Sequence, residues 1–189
     1  MLLRILTYHQ VMSGFLDFIT VFGEKNVKNE ARDLRYSGFR EQIAFNNSAK
    51  TFAVPSLGRS GRQFQLCYNI KSVICKSDAK VALADKEWSI RQGAFHHQFD
   101  IEEGTTLWIV CQGREDIKER IQQLTGETGK PEDRDFSNTS QCFKSSLAVH
   151  LVYCHWSTEG WRLYVQWLEE VIEEKVNVIG AHETLSSPG

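Results

Sequence analysis

No run of about 20 consecutive apolar residues, the length a helix needs to cross a bilayer, occurs in the 189-residue chain. The N-terminal stretch MLLRILTYHQVMSGFLDFITVFG is apolar in part, but Arg4, His9, Gln10 and Asp17 interrupt it. It also lacks a small-residue cleavage site, so it does not read as a signal peptide. A net charge of −2 leaves no global basic field, and nucleic acid is not an expected partner. There is no Cys-x-x-Cys pair among the five cysteines, Cys67, Cys75, Cys111, Cys142 and Cys154. Zinc sites use short paired spacings, and none is present. Several of these cysteines sit inside apolar runs and read as small buried residues in a reducing compartment, which places the chain in the cytoplasm. Gly-x-Ser-x-Gly, His-Glu-x-x-His and Gly-x-Gly-x-x-Gly are all missing. No spacing selects a catalytic triad, so an enzyme has no positive support.

What is present suits one domain over residues 1–189, since 41% hydrophobic content is enough for a real core. Residues 2–22 read as two short helices. Leu2, Leu3, Leu6 and Val11 would make the first apolar face, Ser13 would cap the second helix, and Gly23 would stop it. Residues 24–35 are charged and weakly patterned, which predicts a loop. Residues 36–45 suit a strand. Residues 55–62, PSLGRSGR, carry turn chemistry.

The clearest strand follows. Phe64, Leu66, Tyr68 and Ile70 alternate with Gln63, Gln65, Cys67, Asn69 and Lys71. A period of two predicts the apolar side on the core and the polar side outward. Trp88 and Ile90 begin another strand, while Phe95, Phe99 and Ile101 take the opposite parity. A bulge or break near Gly93 would reconcile them. Glu102-Glu103-Gly104 predicts a hairpin turn. Leu107–Cys111 is an uninterrupted apolar run, which suits a central strand covered on both faces.

Asp116–Leu124 and Ser140–Trp156 read as helices. Residues 125–138 between them predict a mobile loop. Ser157 or Thr158 would cap a last helix, in which Trp161, Tyr164, Val165, Trp167, Leu168, Val171 and Ile172 share one face. Glu169, Glu170, Glu173 and Glu174 crowd its last turns, where the helix dipole disfavours negative charge. Either the helix continues past them or a cation sits there. The order of elements predicts an α+β fold, with a mixed, largely antiparallel sheet flanked by helices.

Two clusters suggest binding. Gly58-Arg59-Ser60-Gly61-Arg62 could hold a phosphate or an acidic partner through Arg59 and Arg62, although a basic hairpin corner is the plainer reading. His96 and His97 would point to opposite faces of a strand, so they cannot easily share one metal ion.

Taken together, LLRILTYHQVMSGFLDFITVFG, YSGFR, LGRSGRQFQLCYNIKSV, WSIRQGAFHHQFD, LWIVCQG and CHWSTEGWRLYVQWLEE resemble one family. They are similar to the cytosolic N-terminal domain of fungal CorA-like transporter-domain proteins, relatives of CorA magnesium channels. The resemblance implies an α/β/α domain that senses Mg2+ through acidic residues between subunits. Its partners would be further copies of itself or CorA-like transporter subunits, and a stalk helix with two membrane helices would normally follow. By chemistry, the Mg2+ candidates are Asp100, Glu102 and Glu103 at a turn, and Glu169, Glu170 and Glu173 on the last helix. The Gly-Met-Asn pore motif of CorA channels is absent, since the only methionines are Met1 and Met12. The start at MLLRIL is late beside fuller relatives. The alternative reading is a stand-alone interaction module using the Trp-rich helix or the GRSGR loop.

Overall fold

A computed structural model describes residues 1–22, 36–45, 53–78, 80–111 and 115–185. Helices α1 (Leu2–Tyr8) and α2 (Phe15–Thr20) open the chain. Strands β1 (Phe39–Ala44), β2 (Gln63–Cys75), β3 (Trp88–Asp100) and β4 (Thr106–Cys111) follow. Helices α3 (Glu115–Thr125), α4 (Thr139–Thr158) and α5 (Trp161–Leu185) complete it. The strands form one antiparallel sheet in the order β1-β2-β3-β4. The fold is α+β, as the order of elements predicts. The predicted loop at 24–35 and the stop at Gly23 lie outside the described residues.

The chain divides into two compact units, residues 1–70 with 92–156 and residues 71–91 with 157–189. In the first unit both sheet faces are covered. Leu6, Met12, Phe15 and Phe18 from the α1–α2 region pack on Cys67 and Ala94. On the other face, Ile117 of α3 and Val149, Tyr153 and Trp156 of α4 pack on Phe95. Burying a large apolar side chain contributes about 1.5–3 kcal/mol, so Phe15, Phe18 and Phe95, each 0% exposed, anchor the three layers.

This double covering overturns the expected orientation of β2. Its polar side, Gln63, Gln65, Cys67 and Asn69, is the more deeply buried one, at 0–7% exposure. The amides are tolerated because they are hydrogen-bonded. Gln65 accepts from Met12 N (2.7 Å) and donates to Gln10 O (3.0 Å), which fastens the α1–α2 connection to the sheet. Asn69 accepts from Gly38 N and donates to Tyr36 O, both at 2.8 Å, which docks the approach to β1.

Other details also differ from expectation. Leu2 and Leu3 are exposed, and only Leu6 of α1 is buried. The N-cap of α2 is Gly14 rather than Ser13, with no side-chain cap. α1 ends in a Schellman turn, in which Gln10 N bonds Thr7 O and Val11 N bonds Leu6 O. Its left-handed position is filled by Gln10, with φ 52°. β3 is one unbroken strand of 13 residues. The parity conflict disappears because both of its faces are buried, and the Phe95 ring folds back over Gly93. β4 lies at the sheet edge, not the centre. Of the cysteines only Cys67 is fully buried, and Cys154 is exposed. Between α3 and α4 the backbone is irregular apart from a 3-10 turn at Pro131–Asp133.

In the second unit, Trp88 meets Tyr164 and Trp167 of α5 at ring-centroid separations of 5.6 and 6.4 Å. Ser157 and Thr158 lie in the last turn of α4, and the residue before α5 is Gly160. The break is made by Gly160, with φ +78° and a Cβ position only 2.2 Å from Val73 O. No residue with a side chain fits there. α5 continues to Leu185, so the glutamates lie mid-helix and the expected clash with the dipole does not arise. Val165 and Ile172 are exposed, so the apolar face of α5 is narrower than its sequence pattern suggests.

Candidate functional site

β3 places His96 and His97 on opposite faces, and each face treats its histidine differently. His96 is 0% exposed beneath Phe15. Its Nε2 donates to Gln65 Oε1 (3.1 Å), while Nδ1 has no partner among the described residues. Burial, and next the positive Arg59, lower its pKa to about 4. The ring is therefore neutral at pH 7.

His97 lies at the centre of the aromatic layer, stacked on Trp108 at 4.2 Å and 0% exposed. α4 delivers His150 to it from 53 residues away, with His150 Nε2 at 2.9 Å from His97 Nδ1. Tyr68 Oη lies 2.8 Å from His150 Nδ1, and Thr106 Oγ1 lies 3.0 Å from His97 Nε2. The Thr106 hydroxyl also reaches Gln98 O at 3.3 Å. One set of neutral tautomers satisfies every contact. Tyr68 donates to His150, His150 donates to His97, His97 donates to Thr106, and Thr106 donates to the Gln98 carbonyl. Burial, then the neighbouring His150 and His96, push the pKa of His97 down to about 2. Burial lowers that of His150 to about 4. The result is a directional chain of buried polar groups holding α4 to the sheet, and its rings stay uncharged until well below neutral pH.

The GRSGR loop and the Glu102-Glu103 turn are brought together by Asp100, which is 1% exposed. Its Oδ2 accepts from Ser60 N (2.8 Å), and its Oδ1 accepts from Ser60 Oγ (2.9 Å), Glu102 N (3.0 Å) and Glu103 N (2.9 Å). The carboxylate clasps two turns rather than facing solvent. Arg59 is buried and donates to His9 O at 2.7 Å, which ties the loop to the end of α1. Arg62 is half-buried, pairs with Glu102 at 2.6 Å and donates to Phe45 O at 3.0 Å. Glu103 is exposed.

Glu169, Glu170 and Glu173 are on α5, in the second unit. Glu169 and Glu173 are exposed and Glu170 is half-buried, bonded to Gln166 Nε2 at 3.3 Å. Among the described residues no three His, Cys, Asp or Glu side chains form a group that could hold a metal ion.

Residues 1–179 match a family described as CorA-like transporters. The chain belongs to the CorA-like family. No curated protein and no solved structure matches it. Among the described residues of this CorA-like chain, no helix is long and apolar enough to cross a membrane. The His97–His150–Tyr68 chain was not visible in the sequence. A histidine in the apolar half of a helix was its only trace, and nothing in the spacing paired His150 with β3.

Proposed function

We propose that this CorA-like chain is a non-enzymatic regulatory or assembly domain of a divalent-cation transporter, acting at the cytoplasmic side of a membrane. The family match over residues 1–179 carries the reading. Its partners are further copies of itself or CorA-like transporter subunits, and its ligand is Mg2+.

The carboxylates differ in how far they suit a hydrated Mg2+, which needs only one or two and keeps several waters. Asp100 is saturated by hydrogen-bond donors and Glu102 is paired with Arg62. Glu169 and Glu173, one turn apart and exposed, and Glu103 keep their carboxylates in solvent. Glu170 lies beside the first pair. Arg62, at the rim of the Asp100 clasp, is the better placed of the two loop arginines for an acidic partner, since Arg59 is engaged with His9.

Thermal unfolding with increasing Mg2+, against Na+ at matched ionic strength, tests the proposal. A ligand that binds only the folded state stabilises it by about 2.7 kcal/mol at a hundredfold excess over its dissociation constant. A Mg2+-specific rise, lost in the double variant Glu169→Gln/Glu173→Gln, supports the reading. Identical curves in the two salts remove ion sensing. The alternative, a protein-interaction module with no transport role, then takes its place. The exposed apolar residues Val165, Ile172 and Val176 of α5 favour that reading.

A further inference from the structure

We draw no further inference here: the strongest candidate, the uncharged groove of ≈620 Å3 that Leu3, Leu6, Val11, Met12 and Leu16 of the α1–α2 region line together with Gln42 of β1, carries nothing because nothing in the structure shows what covers it.

Discussion

Acid should destabilise this protein before its carboxylates titrate, through three histidines. His96 and His97 are fully buried, His150 is half-buried, and all three are neutral in the folded state. Their pKa values are lowered to about 4, 2 and 4, mainly by burial. In the unfolded chain each returns to about 6.5. A depressed folded pKa means that the unfolded state binds more protons as pH falls. The stability each group contributes is therefore complete above pH 6.5 and declines as pH drops toward the folded value. At pH 5 the unfolded state gains about 1.36 kcal/mol for each of 1.5 pH units, or about 2 kcal/mol per histidine.

The groups facing these rings offer no relief. Gln65, Phe15 and the positive Arg59 surround His96; Tyr68, Thr106 and Trp108 surround the His97–His150 pair. A second proton on His96 would sit at Nδ1, which has no acceptor. With His150 discounted for its solvent access, the combined loss is about 5 kcal/mol. Domains of this kind have only about 5–15 kcal/mol in total. Urea unfolding at pH 7.0, 6.0 and 5.0 measures it, and His150→Gln should flatten the pH dependence by about one proton. A stability that stays level from pH 7 to pH 5 would refute the reasoning.

Other outcomes follow from local geometry. Gln10→Gly relieves a left-handed backbone at the end of α1, where a side chain costs about 1–2 kcal/mol; chemical denaturation should show a gain of about 1 kcal/mol. Asp100→Ala strands the N–H groups of Ser60, Glu102 and Glu103 and should lower stability by about 3–5 kcal/mol, read from the same curves. Gly160→Ala places a methyl group against the Val73 carbonyl at φ +78° and should cost more than about 2 kcal/mol, read as a drop in melting temperature. An aromatic disulfide reagent should label Cys154 promptly and Cys67 only on unfolding, because Cys67 is 0% exposed and burial raises its thiol pKa to about 11.

Periodicity was a reliable guide to where strands lie and a poor one to which side faces the core. The alternation in β2 marked a strand, but the polarity rule put Gln63, Gln65 and Asn69 outside. They are inside because each finds partners there: Gln65 in the α1–α2 connection, Asn69 in the approach to β1, and Gln63 in the side chain of Gln98. The parity shift at Gly93 suggested a break for the same reason, since a strand covered on both faces needs no polar side. The apolar run Leu107–Cys111 marked a strand, but Val110 is exposed, so full cover on both faces does not follow, and its place at the sheet edge depends on pairing that no local pattern encodes. The acidic end of the Trp-rich stretch looked anomalous only while the helix was taken to stop there. In the candidate site, the Glu102-Glu103-Gly104 turn and the GRSGR loop were each legible. Their union through Asp100 spans 40 residues and was not. His150, 53 residues from His97, was legible only as part of an apolar helix face.

The most direct test of the proposed regulatory or assembly role is the mass of the chain in solution, measured by sedimentation velocity in EDTA and in millimolar Mg2+ at matched ionic strength. The account predicts a defined oligomer whose population depends on Mg2+ and shifts when Glu169 and Glu173 are changed to Gln. A monomer of unchanged mass under every condition would contradict it.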